Sequence, residues 1–340
     1  MRIRRIFSIL LCLVLATFCC PAFSAGEAPA ASPETDACGL RGYDPACGWQ
    51  YVILGSYPYE ADGTEYPVLW QVLAIEDGEA LLYTTYVIDA HQAVEVSGAD
   101  AKNKNYPNLS TYSETDLNRW LNETMIGRLL GSDPVLPAVV DTGDLGRLYP
   151  LSDFQLMTEA YGFTDQRYFE VRSRWAFATP YALEKEDYVN NRLLKDRVYG
   201  TVSYWAANLK RNHHTNEELT CKRMQVCSGY TDSHKAGDTN IGHLSNEYLH
   251  SSVGLRLALR LDCSKIQVVS GSGTLWDPCR LAYVADKSAP QPAAVTPAVF
   301  PGPTPVPMTP APVRGRPTLA PPEAEATPVP VPDWAREGGD

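Results

Sequence analysis

Two β-rich runs stand side by side early in the chain. Val68-Leu69-Trp70-Gln71-Val72-Leu73-Ala74-Ile75 is followed by Glu79 to Ile88, with Asp77-Gly78 between them. Glycine accepts positive φ without steric cost, so the pair predicts a hairpin closed by a tight turn. Late in the chain, Val253, Leu255, Leu257, Leu259 and Leu261 alternate with Gly254, Arg256, Ala258 and Arg260. Period two with one uniformly apolar face predicts a single half-buried strand.

Helical signals lie between these runs. Ser113 is a candidate N-cap, Asp116 stands at the third helical position, and Tyr112 is placed to staple onto Leu117. Leu117, Trp120, Leu121 and Thr124 then share one face, and Gly131 supplies a stop. Leu151, Ser152 and Gln155 repeat that start, with Gly162 as the stop. Thr179-Pro180 opens a third, shorter helix, proline being suited to the first turn. Strands flanking two or three helices give the class α+β, with mixed or antiparallel pairing. Ala206 to Asn246 reads as a long polar loop holding four of the six histidines (His213, His214, His234, His243). A connection of this length inside a domain is functional or disordered, and its two cysteines argue for order.

The ends differ from the middle. Arg2, Arg4 and Arg5 precede an apolar run from Ile6 to Cys20, and Ala22-Phe23-Ser24 forms a small-x-small site. This predicts a signal peptide over 1–24, then a flexible leader over 25–37. The run is shorter than the roughly 20 residues that a membrane-spanning helix needs, which disfavours the competing reading of a retained anchor. From about residue 285 to 340 the composition turns to Pro, Ala, Val and Thr, with 15 of the 27 prolines between Pro290 and Pro332. Proline removes backbone donors, so a disordered tail is expected there. The globular domain is then 38–284, and the expected location is secreted or at the cell surface.

Charge and cysteines narrow the function. Loss of the three leader arginines from 29 basic residues leaves 26 against 40 acidic, a net −14. Such a surface repels polyphosphate, so no nucleic-acid partner is expected. Once the signal peptide is removed, Cys38, Cys47, Cys221, Cys227, Cys263 and Cys279 remain. An even set in an exported chain reads as disulfides, although six cysteines permit 15 pairings. Short separations favour Cys38–Cys47, Cys221–Cys227 and Cys263–Cys279. Zinc is the competing reading, because His213-His214 precedes Cys221 and Cys227, but the spacing is not that of a cysteine knuckle. No metal or cofactor is expected. No Gly-x-Ser-x-Gly elbow, His-Glu-x-x-His, phosphate loop or EF-hand spacing occurs, so no catalytic residue is assigned.

Taken in order, a set of short motifs resembles a bacterial domain family of unknown function, family 6273, found in exported proteins. They are Ile53-Leu54-Gly55-Ser56-Tyr57-Pro58, Leu69-Trp70-Gln71-Val72-Leu73, Ala80-Leu81-Leu82, and Ser113 on to Leu117-Asn118-Arg119-Trp120-Leu121-Asn122. Leu151-Ser152, Thr179-Pro180-Tyr181-Ala182, Tyr204-Trp205 and Val253-Gly254-Leu255-Arg256-Leu257-Ala258-Leu259 complete the series. The match covers about residues 50 to 262. It implies, by fold analogy, a C-type-lectin-like domain, the fold that also houses formylglycine-generating enzymes. Ala206, Ala207 and Asn208 depart from the Leu, Arg and Ser usual after the Trp, and Leu257 replaces a frequent proline.

These readings converge on an exported, non-catalytic binding module for carbohydrate or a cell-wall polymer. An extracellular enzyme of formylglycine-generating type and a structural envelope protein are the alternatives. The expected contact surface sets Tyr204, Trp205, Asn208, Arg211 and His213 against Arg119 and Asn122 of the helix, pairing rings with directional donors. The competing reading places Trp205 in the core and leaves the loop solvated.

Overall fold

A computed structural model describes residues 36–96, 109–167, 171–185, 201–211, 221–227 and 242–285. The expected signal peptide, the tail, and His213, His214 and His234 lie outside the described residues. The class is α+β, dominated by two sheets with few helices. Among the described residues no helix is long and apolar enough to cross a membrane.

The hairpin forms as its sequence predicts. β1 (Gln50–Pro58) pairs antiparallel with β2 (Glu65–Glu76), which pairs antiparallel with β3 (Glu79–Thr84). Asp77 (φ 53°) and Gly78 (φ 78°) both take positive φ, the geometry that matches a two-residue turn to strand twist. β4 is Asp89–His91.

The main helix, α1, is three consecutive five-residue stretches: α-helical Asp116–Trp120, a π turn at Leu121–Met125, and α-helical Ile126–Leu130. Its cap is Thr115, not Ser113: the Thr115 Oγ1 accepts from the Asn118 N–H at 3.0 Å. Tyr112–Glu114 instead forms a separate 3-10 turn. The buried stripe is Leu117, Leu121, Met125 and Leu129, whereas Thr124 is exposed. The π turn carries an extra residue per turn, so the apolar face advances by fours and Thr124 rotates outward.

The second expected helix does not propagate. The reciprocal cap exists, with Ser152 N–H to Gln155 Oε1 at 2.9 Å and Gln155 N–H to Ser152 Oγ at 3.2 Å. Only two 3-10 turns follow, Gln155–Met157 and Glu159–Tyr161, ended by Gly162 in the left-handed region. The Leu156 carbonyl, which a helix would use internally, accepts from Arg174 Nη1 at 3.0 Å. The short helix at Thr179 does form as α2 (Pro180–Leu183), capped by Thr179.

Within the polar loop expected over Ala206 to Asn246, the described residues are mostly sheet. β5 (Tyr204–Arg211), β6 (Cys221–Cys227) and β7 (Leu244–Tyr248) pair antiparallel in sequence order. The alternating run near the end is not one strand. It divides into β8 (Val253–Leu255), paired with β4 and β5, and β9 (Ala258–Asp262), paired with β3. β10 (Ile266–Ser270) and β11 (Cys279–Tyr283) follow, and β11 lies parallel to β1.

The six-stranded sheet thus runs β10-β11-β1-β2-β3-β9, and the five-stranded sheet β4-β8-β5-β6-β7. The chain passes from one sheet to the other at Arg256-Leu257, both buried. Trp70, fully buried, satisfies its indole N–H on the Leu54 carbonyl at 2.9 Å. α1 lies close against β1 because Gly55 (φ 69°) has no side chain there: a Cβ would stand 2.3 Å from the Leu129 carbonyl oxygen.

Candidate functional site

The end of β1, β4, α1 and α2 bring a group of tyrosines and charges together. The buried Tyr57 hydroxyl donates to the Asp89 carboxylate at 2.5 Å. Asp89 is itself buried and also accepts from the Ala90 N–H at 2.8 Å and from Lys185 Nζ at 3.4 Å. Lys185 in turn donates to the Tyr181 hydroxyl at 2.8 Å and lies 4.4 Å from that ring. Tyr181 meets Tyr57 edge to face at 5.9 Å, and the exposed Arg128 of α1 stands over the Tyr57 ring at 5.3 Å. The Tyr181 N–H bonds the Tyr59 carbonyl at 2.8 Å, which continues the group into a second set of rings. Tyr59 packs edge to face on Tyr66 at 5.6 Å and on Tyr86 at 6.4 Å. Tyr59, Tyr66, Tyr86 and Tyr181 are all half-buried, each keeping part of a ring accessible.

Burial, with Asp89 adding to it, pushes the Tyr57 hydroxyl far above the usual phenol range, so Tyr57 stays a neutral donor. Burial alone would lower the Lys185 ammonium. The Tyr181 hydroxyl and the Asp89 carboxylate outweigh it and raise it. The face therefore presents rings flanked by two cations, over a carboxylate already satisfied from within.

A second cluster is wholly interior, at the crossing between sheets. Arg256 donates from Nε to the Thr84 carbonyl at 2.7 Å and from Nη2 to Gln71 Oε1 at 2.6 Å. Its guanidinium lies 4.2 Å from the Tyr83 ring and 5.7 Å from that of Tyr204. Arg256 Nη1 and the Tyr83 hydroxyl have no hydrogen-bond partner among the described residues. The bonds fit a brace: Thr84 accepts the Leu257 N–H on Oγ1 at 2.9 Å and donates its own N–H to the Leu257 carbonyl at 2.8 Å. Arg174, also fully buried, donates among the described residues to the carbonyls of Gly242, Leu156, Thr164 and Gln166, and so ties these segments together.

Of the contact surface expected from the sequence, Tyr204 and Trp205 lie in the core among the described residues. Trp205 is fully buried and donates its indole N–H to the His91 carbonyl at 2.8 Å, so its ring belongs to the core. Tyr204 is equally buried, its hydroxyl on the Arg174 carbonyl at 2.8 Å. Asn208 Oδ1 accepts from the Asp153 N–H at 2.6 Å. Asn122 Oδ1 accepts from the Arg147 and Leu148 N–H groups, holding the chain after α1. Arg119 is exposed and ion-paired with Asp116 one turn earlier. The Arg211 side chain and His213 lie outside the described residues. α1 borders the ring-and-cation face through Arg128, which was not among the expected residues. Tyr57 and Tyr181 lie inside the motifs of the resemblance, but the half-exposure of Tyr59, Tyr66, Tyr86 and Tyr181 has no sequence signature.

Strand geometry excludes one pair of the local disulfide scheme, Cys221–Cys227. Cys221 and Cys227 stand at opposite ends of β6, roughly 20 Å apart at ~3.3 Å per residue, far beyond the ~7 Å Cα limit for a bridge. Cys38 is buried while Cys47 is exposed in the Asp44–Gly48 turn. Cys279 Sγ lies 3.4 Å from Gln50 Nε2 and 3.8 Å from the Gly271 carbonyl. Burial raises the Cys227 thiol, and raises that of Cys279 to about 11. Cys38 is instead held down to about 7, chiefly by a hydrogen bond with Cys263.

Compared with known proteins, the chain matches no family model, no curated protein and no solved structure.

Proposed function

We propose that the chain is an exported, non-catalytic binding module that takes carbohydrate or a cell-wall fragment on the tyrosine face. One observation carries this reading: Tyr59, Tyr66, Tyr86 and Tyr181 share a half-exposed surface flanked by Arg128 and Lys185. Partly exposed tyrosines offer stacking area at small entropic cost, which suits pyranose rings. The two cations favour sugars bearing carboxylates over neutral ones. The two-sheet α+β architecture and the motif series support the resemblance to family 6273 and a C-type-lectin-like fold. The amino-terminal pattern supports export.

The test is a binding screen with purified full chain against soluble peptidoglycan fragments, uronic-acid glycans and neutral glycans. Wild type should bind the acidic ligands best. Tyr66→Ala and Lys185→Ala should each weaken binding several-fold with unchanged far-UV circular dichroism and a cooperative melt. Phe154→Ala removes a ring that is 73% exposed elsewhere and should not matter. Equal binding by wild type, Tyr66→Ala and Lys185→Ala would remove the ligand from this face.

A further inference from the structure

Cys38 and Cys263 are 225 positions apart in sequence, yet their sulfurs lie within 4.8 Å of each other. Both side chains are buried, Cys38 at 1% exposure and Cys263 at 3%. Each is set by backbone bonds. The Cys38 carbonyl accepts from Val268 of β10 at 3.0 Å, and the turn around it closes through Asp36 N–H to Leu40 O at 2.7 Å and Gly39 N–H to Asp36 O at 2.8 Å. Gly39 takes φ 85° in this turn, a conformation open to glycine without steric cost. Cys263 follows β9 directly, opening the 3-10 turn Cys263–Lys265, and its N–H bonds the Gly78 carbonyl at 2.9 Å.

We propose that Cys38 and Cys263 form a long-range disulfide that clasps the amino-terminal segment of the domain to the end of β9. Two backbones held by these hydrogen bonds bring the sulfurs within 4.8 Å of each other, the approach from which a disulfide closes. The balanced chemistry is thiol–disulfide exchange with a disulfide donor, either a small-molecule disulfide or an extracytoplasmic oxidoreductase. The Cys38 thiolate attacks the donor and expels one thiolate; the Cys263 thiolate then attacks the Cys38 sulfur of the mixed disulfide and expels the second. Two thiols lose two electrons, the donor disulfide becomes two thiols, and the protons follow to the leaving sulfurs. Because both sulfurs are buried in the finished fold, exchange happens while the domain closes, and the bond is afterwards shielded from reductants. The Asp36 carboxylate lies within the same 4.8 Å. A divalent metal is thus the competing occupant, though three ligands are fewer than a closed structural site takes.

Supply of the oxidant rests on the export reading, so the experiment has two arms. In the first, reduced full chain is unfolded, refolded with glutathione disulfide, alkylated and mapped without reduction. A linked peptide pair carrying Cys38 and Cys263 is expected, absent from Cys38→Ser and from Cys263→Ser. Reduction should lower the wild-type melting temperature by about 5–15 °C and leave the double serine variant unmoved. Alkylation of both thiols, a Cys38–Cys47 link, or one zinc per chain displaced by thiol modification would overturn the clasp. In the second arm, chain recovered from its producing cells is mapped without refolding. Reduced cysteines there, with the bond formed in the first arm, would overturn the export reading and leave the clasp standing.

Discussion

The Tyr57 hydroxyl donates to the Asp89 carboxylate at 2.5 Å, joining β1 of the six-stranded sheet to β4 of the five-stranded sheet. Both groups are buried, so the bond replaces water on each. Tyr57→Phe deletes one donor and leaves Asp89 with Lys185 and the Ala90 N–H. The expected loss is about 1–3 kcal/mol in urea unfolding. Asp89→Asn should cost less than Asp89→Ala, since the amide oxygen still accepts from Tyr57. The opposite order would mean that the carboxylate is not the acceptor that matters.

Arg256 gives a sharper ordering. Its fork reaches both the Thr84 carbonyl and the Gln71 side chain, and no carboxylate is within its bonds. Lysine keeps the buried charge but cannot span both acceptors. Methionine drops the charge and fills much of the volume. Arg256→Met should destabilise by about 1–3 kcal/mol, and Arg256→Lys by more. Guanidinium titrations of the two variants decide it, and a lysine variant more stable than the methionine one refutes the argument.

Gly55→Ala tests the approach of α1 to β1. The position has φ 69°, and the added carbon would meet the Leu129 carbonyl oxygen at 2.3 Å. Strained backbone and a clash with backbone add, so the loss should reach about 2 kcal/mol or more. Gly78→Ala shares the positive φ but meets nothing within 4 Å, and should cost less. Equal melting temperatures for the two variants would show that the close approach is not made.

Glu76 links Tyr161 (2.7 Å) to Arg260 (2.9 Å), and it titrates from both sides. Burial would raise the carboxyl, but the bonds from Arg260 and Tyr161 outweigh it and hold it below its ordinary 4.5. A depressed carboxyl stabilises fully above the unfolded value, and this is lost as pH falls through the folded one. The Tyr161 hydroxyl is pushed up to about 12, by burial first and then by Glu76. Its contribution is complete below the unfolded value near 10 and disappears as pH rises through about 12. The wild-type advantage over Glu76→Gln should therefore shrink below about pH 4.5, and the advantage over Tyr161→Phe should shrink above about pH 10. Glu76 is partly exposed, so the acid effect should stay under about 1 kcal/mol. Melting curves from pH 3 to 11 measure both limbs, and a flat difference for either pair counts against its bond.

The α+β class, the Asp77-Gly78 hairpin and the short helix after Thr179 were determined by the sequence alone. Each depends on neighbours within a few residues: a turn that demands positive φ, a proline with preset φ, a hydroxyl that reaches the third N–H beyond it. The start of α1 was legible to within two residues, because Thr111, Ser113 and Thr115 all offer cap oxygens and only packing selects Thr115. Tertiary structure decided the rest. The run from Val253 to Leu261 carries one unbroken alternation, yet Arg256 and Leu257 pass it between two sheets, since partners on β4, β5 and β3 lie far off in sequence. Gln155 and Ser152 make their cap, but Arg174, which arrives from a distant loop, takes the Leu156 carbonyl that a helix would need. Trp205 reads the same in sequence whether its ring faces solvent or His91. Cys38 has Cys47 nine residues away and Cys263 at the far end of the domain. Proximity along the chain favours the first; the register of β9 and β10 delivers the second, because hydrogen-bonded strands fix position regardless of the length of chain between them.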